Sequence, residues 1–364
     1  HIRTVNTMPK KLTQRPSLAS AKNILLLKHY GAGIVDVVRS TASWKSIKEL
    51  YPDINIHMFF WPLISPSPAE YILKSSGYLA SVHILKRNII KSWLGKYTDL
   101  SSFLLAAKEL RRIVMTHHIE FAIDQEVHGI ENSILSLYLN HLGVHTIGIA
   151  QYPFKRLFYN ESSVSEKRYS KKYGLRFPMD YTNKDYIALE RINVFRNNTR
   201  ITIEPAPKTI SCSSYKYTIG INIGCGPNED SKKRPQISLF SNLICYLLTN
   251  INCYILLTGT RSESWINEKC ISFIPTELRS RINNIAGETD IESLIETING
   301  VDLYISTDSG PFHLSVALGK PTIGIFKWAN PTCYHTNDTT SNIVVGGSED
   351  ISKIASEIRK YVNR

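Results

Sequence analysis

The feature that most limits what this chain can fold into is a short run near its end. From Val301 to Phe326, the apolar residues Leu303, Tyr304 and Ile305 lead into the turn Thr307-Asp308-Ser309-Gly310-Pro311. A helix-like stretch follows, and a second apolar run opens after Gly319 and Pro321. Strand, helix and strand in that order make a compact βαβ crossover unit. Asp308, Ser309 and Gly310 then fall where a strand's carboxyl end meets a helix amino terminus, the place where α/β proteins gather ligands. The same residues also suit a plain helix cap, since Asp and Ser are favoured caps and Pro is favoured in the first turn. Local physics leaves both readings open.

The alternation begins at the other end of the chain. Asn23 to Lys28 is a continuous apolar run closed by turn residues, as expected for a buried parallel strand. A helix is predicted from Val35, with Val38, Ala42 and Ile47 among its apolar positions and Tyr51-Pro52 as its stop, and a second strand over Ile54 to Trp61. The turn contains Gly31-Ala32-Gly33, but Asp36 stands where a dinucleotide fingerprint has its third glycine. Near a helix start, Asp36 is either a cap or a carboxylate at a cleft rim able to act as a general base. Further on, Phe121 to Asp124 and Thr146 to Ala150 read as strands around a helix over Asn132 to Leu142. Lys86 to Tyr97 mixes cations and apolar residues at near-helical spacing, predicting a basic-faced helix, packed or lying on a membrane surface.

A second α/β unit opens with the strand Tyr217 to Gly224 and the loop Cys225 to Pro235. There Gly226 frees backbone amides, and Lys232, Lys233 and Arg234 supply charge for a phosphate. The loop lacks the ending of a P-loop. A helix over Ile237 to Leu248, a strand over Cys253 to Thr258, the turn Gly259 to Glu263 and the turn Ile285-Ala286-Gly287 follow. Each of these turns follows a strand, as if one ligand were gripped along one sheet edge.

The totals agree with two domains of ordinary size: 364 residues, 43% apolar and 20% charged. Apolar runs fall well short of the roughly 20 residues needed to cross a bilayer, and none at the amino terminus resembles a secretory leader. Six scattered cysteines show no metal-type spacing, so neither disulfides nor zinc is expected. The net charge is +12, and residues 151–200 hold eleven Lys/Arg against five Asp/Glu, interleaved with tyrosine and phenylalanine. Such a stretch suits nucleic acid, an anionic membrane or a phosphorylated substrate, or is simply a solvated basic face.

Asp308-Ser309-Gly310-Pro311-Phe312-His313-Leu314-Ser315-Val316-Ala317-Leu318-Gly319-Lys320-Pro321, continuing to Phe326, resembles the signature of the ADP-heptose:lipopolysaccharide heptosyltransferases, glycosyltransferase family nine. Val35-Asp36-Val37, Tyr51-Pro52, Lys232-Lys233-Arg234-Pro235 and Gly259-Thr260-Arg261-Ser262-Glu263 echo the family's weaker motifs in order. Val35 replaces a glycine, Arg234 a tryptophan and Ser315 an alanine, and Lys327 to Pro331 departs from the usual continuation. The chain thus resembles a divergent member.

The resemblance implies an α/β chain of GT-B architecture, two Rossmann-like domains facing a central cleft. Residues 1–22 are expected as a flexible basic arm and 23–200 as the acceptor domain. Residues 201–216 would be a linker, 217–348 the nucleotide-sugar domain, and 349–364 a helix packing back toward the amino-terminal domain. Carried over, Asp36 is the general base and Lys232 balances the leaving diphosphate. Gly226, Lys233, Gly259, Glu263, Ala286, Gly287, Asp308, Ser309, Gly310 and His313 hold the donor. Gly33, Lys155 and Arg156 are assigned to the acceptor. The implied activity is inverting transfer of a sugar, heptose first, onto a lipopolysaccharide-core or similar glycan, with no metal and no cofactor beyond the donor, an ADP-sugar. An anionic glycolipid partner and a cytoplasmic location, peripheral on the membrane's inner face, go with it, and no nucleic acid is expected. The alternatives are a basic nucleic-acid-binding α/β protein and an inactive nucleotide-sugar-binding relative.

Overall fold

The computed structural model describes residues 18–28, 33–62, 66–92, 95–175, 184–195, 201–203, 214–226, 233–327, 341–345 and 351–362. The amino-terminal half runs β1 (Asn23–Lys28), α1 (Ile34–Leu50), β2 (Asn55–Phe60), α2 (Pro68–Ser75), β3 (Leu79–Ile84), β4 (Ile89–Ser92), β5 (Gly95–Thr98) and α3 (Leu100–His117). It continues with β6 (Phe121–Asp124), α4 (Glu131–His141), β7 (His145–Ile149), β8 (Glu161–Ser163), α5 (Glu166–Lys172) and α6 (Tyr186–Leu189). The carboxy-terminal half runs β9 (Tyr217–Asn222), α7 (Ile237–Asn250), β10 (Cys253–Thr258), α8 (Ser264–Ser272), α9 (Thr276–Arg279), β11 (Ile282–Asn284) and α10 (Ile291–Gly300). Then come β12 (Leu303–Thr307), α11 (Gly310–Ala317), β13 (Thr322–Phe326), β14 (Ser341–Val345) and α12 (Ile351–Val362).

Each half holds one parallel six-stranded sheet, ordered β3-β2-β1-β6-β7-β8 and β11-β10-β9-β12-β13-β14. Counted along each sheet this is the doubly wound order 3-2-1-4-5-6, with the order reversing between β1 and β6 and between β9 and β12. The central strands carry the apolar runs seen in the sequence: β1 is buried from Ile24 to Lys28, and all of β12 is buried.

Helix α1 explains how the halves meet. Ordinary surface helices bury one stripe, but from Val37 to Ile47 only Lys45 of α1 escapes full burial. One side of it packs on its own sheet and another on α11 of the second domain, so one continuous core runs from Ile24 and Trp44 through Phe312 and Leu314. Polar Arg39, Ser40, Thr41, Ser43 and Ser46 are buried with it, and Ser43 and Ser46 return their hydroxyls to backbone carbonyls.

Several expectations need correcting. Among the described residues from Lys86 to Tyr97 there is no helix: β4 and β5 pair antiparallel, with Ile89 opposite Thr98. The root of this pair is fixed by Arg87, buried with its guanidinium 5.7 Å from the Trp61 ring centre and 3.3 Å from Glu131. The closing helix α12 packs on its own domain, because Ile354, Ile358 and Val362 form an i, i+4, i+8 stripe inserted beside Ile219 and Leu243. The segment expected as a linker is anchored at its start: Ile201 is buried, and the Thr202 amide donates to Thr41 Oγ1 at 3.1 Å. Leu18 and Ala21, in the expected flexible arm, join the core.

Candidate active site

The two sheets present their switch points to one another. A cavity of about 420 Å³ lies between them, lined after β1 by Lys28, Val35, Asp36 and Arg39, and after β6 by Gln125 to His128. Cys225 and Lys233 follow β9, Asp308 to Gly310 and His313 follow β12, and Lys184 and Asp185 complete the wall. Its volume suits a medium-sized organic ligand. Ligands of doubly wound sheets bind beyond the carboxyl ends of strands at the point of reversal, and here both reversals open into one space.

On the amino-terminal wall, Gly33 is the N-cap of α1 and has no side chain to cap it, and Asp36 sits in the first turn. A carboxylate there is stabilised by the helix dipole. Burial nevertheless holds the Asp36 carboxyl above its usual range, against the opposing effect of Lys28 and Arg39. Lys28 Nζ pairs with Asp185 Oδ1 at 3.1 Å, and Ser40 Oγ donates to the other Asp185 oxygen at 2.9 Å. Burial alone would lower the Lys28 ammonium, but Asp185, Glu126 and Asp36 outweigh it and keep it firmly protonated.

On the facing wall, the Ser309 hydroxyl does not cap α11, so the plain-cap reading fails. It accepts instead from Asn222 Nδ2 at 3.1 Å and meets Ser306 Oγ at 3.1 Å. The positive end of α11 therefore opens on the cavity at Gly310. A methyl group at Gly310 would lie 3.6 Å from Ile34, so the amino termini of α1 and α11 abut and leave little room for a larger residue. Arg39 Nη2 reaches His313 Nε2 at 3.4 Å across this seam, and Asp308 Oδ1 stands 3.9 Å from the same nitrogen.

Asp36, Lys233, Asp308, Ser309, Gly310 and His313 thus share one cavity, as the sequence suggested. Lys232 falls outside the described residues. Gly226, Gly259, Glu263, Ala286 and Gly287 form a shelf beside the cavity rather than part of its wall. Glu263 is buried: one oxygen accepts from the Gly226 amide at 2.7 Å, the other from the Thr260 amide at 2.8 Å and the Thr260 hydroxyl at 2.7 Å. It braces the Gly226 loop against the Thr260 turn. Gly287, at φ 81°, donates its amide to Gly259 O at 3.0 Å. A Cβ there would meet the Arg261 backbone at 2.7 Å.

The acceptor assignments fare worse. Lys155 is buried beneath the 3-10 turn Pro153–Phe158, where burial lowers its ammonium against the pull of Asp124, Glu126 and Glu131. Arg156 is exposed outside the cavity, and Gly33 lies beside Asp36 without lining it. Of the aromatics in the basic stretch, Tyr159, Tyr169 and Tyr186 are core residues, and Tyr159 donates to Asp124 Oδ2 at 2.6 Å, whereas Tyr152 and Phe154 are exposed. Sequence reasoning missed Lys28, Arg39, Glu126, His128, Lys184 and Asp185. Two left a signal, Lys28 as a charge ending an apolar strand and Arg39 as the i+3 neighbour of Asp36.

Residues 215–357 match the model of glycosyltransferase family 9 (heptosyltransferase). That match lies in the carboxy-terminal domain. The chain is 34% identical over 107 residues to the lipopolysaccharide core heptosyltransferase OpsX of Haemophilus influenzae, an alignment covering 29% of each chain. The chain therefore spans less than a third of that relative's length. A lipopolysaccharide heptosyltransferase 1 of Campylobacter coli is 24% identical over 333 residues, 87% of each chain. The E. coli ADP-heptose lps heptosyltransferase II structure superposes with a TM-score of 0.68 at 13% identity, covering 94% of this chain and 98% of that one. That likeness is one of fold, and the two facing Rossmann-like domains are the GT-B arrangement.

Proposed function

We propose that the chain is an inverting, metal-independent glycosyltransferase that moves heptose from ADP-heptose onto a lipopolysaccharide-core or related cell-surface glycan. The observation that carries this is one cavity holding Asp36 on its amino-terminal wall and the uncapped start of α11 on its carboxy-terminal wall. In the proposed step Asp36 takes the proton of an acceptor hydroxyl. The oxygen attacks the anomeric carbon, and the bond from that carbon to the diphosphate breaks. ADP leaves from the side opposite the attack, so the configuration inverts. The α11 dipole, the Gly310 amide and Lys233, with Lys232 from the same loop, balance the charge that develops on the diphosphate. A positioned base of this kind contributes about 10²–10⁴ in rate.

The donor and acceptor rest on the relatives' names, which give ADP-heptose and a lipopolysaccharide core. A glycolipid acceptor also suits the outer face of the amino-terminal domain. Leu100, Leu104, Ile130, Ile134, Tyr152, Phe154 and Leu157 are exposed there on α3, α4 and the following turn, with Leu157 79% accessible. Lys108, Arg111 and Arg156 are exposed on the same elements, a mixture that fits an anionic lipid surface. No helix among the described residues is long and apolar enough to cross a membrane. The reading is tested by thermal shift with ADP, ADP-heptose and the UDP and GDP sugars: the adenine nucleotides should raise the melting temperature. A shift with UDP sugars alone overturns the donor, and no shift with any of them overturns the nucleotide-sugar reading.

A further inference from the structure

Three histidines far apart in sequence meet on the face of the amino-terminal sheet that α3 covers. His57 is in β2, His83 in β3, and His117 is the last residue of α3. One ring nitrogen from each lies within 4.8 Å of one from each of the others. The His57 and His117 ring centres are 4.3 Å apart, and those of His83 and His117 are 5.4 Å apart. His57 is 4% exposed, and the other two are half-buried. The cluster lies near the amino-terminal ends of β1 and β2, away from the carboxyl ends that open on the cavity, and none of its residues lines that cavity. The proposed transfer gives it no task.

We propose that His57, His83 and His117 bind a divalent transition-metal ion of the zinc class. The hydrogen bonds around them prepare two of the nitrogens. Asn23 Oδ1 accepts from Asn55 Nδ2 at 3.0 Å and lies 3.3 Å from His57 Nε2, which makes that nitrogen the proton-bearing one. His57 Nδ1 therefore presents its lone pair to Ser81 Oγ at 2.7 Å. Ser81 has one proton to give, so while it serves His57 Nδ1, His83 Nε2 donates to the same oxygen at 2.8 Å until an ion selects the other tautomer. On its other side His83 Nδ1 lies 3.5 Å from Glu109 Oε1 and 3.3 Å from Arg112 Nη2. Donation to Glu109 turns the Nε2 lone pair inward, and a carboxylate behind a ligating imidazole is the usual support of such a site. Arg112 favours the opposite tautomer, so metal binding selects between the two.

The chemistry of the donor set matches the ion. Neutral imidazoles suit zinc, copper, nickel and cobalt. Zn–N bonds of about 2.0–2.1 Å in a tetrahedral site put the ligating nitrogens about 3.3–3.5 Å apart. Rotation of the half-buried His83 and His117 rings closes the gap. A bound ion would clip the end of α3 to β2 and β3.

The test uses the full chain stripped with a chelator. One equivalent of Co²⁺ should give the visible absorption of a tetrahedral nitrogen site, Zn²⁺ should displace it, and Zn²⁺ should raise the melting temperature. His117→Gln and His83→Gln should each abolish the saturable spectrum, and Glu109→Gln should weaken binding about tenfold. No saturable Co²⁺ spectrum in the parent protein overturns the proposal, whether or not the variants fold. An unchanged spectrum in His117→Gln also overturns it, because the ion then sits elsewhere. Transfer activity does not enter the readout, so this result and that of the nucleotide-sugar test stand apart.

Discussion

Arg39 Nη2 lies 3.4 Å from His313 Nε2, and each residue is 1% exposed, so the seam between the two domains is tied at the wall of the cavity they share. Groups in direct contact in one network couple by about 0.5–3 kcal/mol. Arg39→Ala and His313→Ala should therefore be non-additive in a double-mutant cycle of thermal stability. Each alone should also depress transfer. Strict additivity would show that the seam does not depend on this contact.

Asp36 carries a pH signature. Burial raises its carboxyl, and a base must be ionised to act, so the acidic limb of kcat/KM should fall at a higher pH than for an ordinary carboxylate. The stability sign is the reverse of that for a salt-bridged acid. A raised folded-state value means the native state holds the proton more tightly, so ionisation destabilises the fold as pH rises above the unfolded value near 3.8. Asp36→Asn should melt higher than the parent at pH 7, and the gap should close below pH 4. A variant that melts lower at pH 7 would argue against the burial account.

Lys28 and Asp185 form a pair with both side chains 6% exposed. Removing one partner of a buried pair leaves a charge behind and typically costs about 3–5 kcal/mol. Lys28→Met and Asp185→Asn should each lose stability on that scale in urea unfolding. The double variant should recover much of the loss; a double variant as unstable as the sum would show that the pair is not the cause.

Glu263 should act on donor affinity through the loop it braces. Glu263→Ala strands the Gly226 and Thr260 amides, each a loss of about 1–3 kcal/mol if left unsatisfied. ADP-sugar affinity should drop by at least about tenfold, with a smaller effect on kcat. Gly224→Ala should mimic it, since a Cβ there would stand 2.0 Å from Glu263 Oε1. Equal loss in kcat with unchanged affinity would give Glu263 a role in the chemistry.

Most of the fold was readable because parallel strands buried on both faces leave continuous apolar runs, as in Asn23–Lys28, Cys253–Thr258 and Leu303–Thr307. Asp36 and Asp308 to Gly310 were readable because each follows such a run. Misreadings came where local pattern was ambiguous or tertiary packing decided. Lys86 to Tyr97 carries a residue mixture that helix and hairpin share, and α12 has an apolar stripe that says nothing of which sheet it covers. Sequence alone assigns Lys155 to the acceptor because it cannot show that this residue is buried with the charges of Asp124, Glu126 and Glu131 acting on it. His57, His83 and His117 carry no spacing signal, since two strands and a helix end bring them together.

The central claim, base-assisted inverting transfer in the Asp36 cavity, is tested most directly by one assay. The protein is incubated with ADP-heptose and a heptose-deficient lipopolysaccharide core, and the product's anomeric configuration is read by NMR for the parent and for Asp36→Ala. The expected result is one heptose added with inversion, ADP released, and activity lost in Asp36→Ala with donor affinity kept. Transfer with retention, or undiminished turnover by Asp36→Ala, would contradict it.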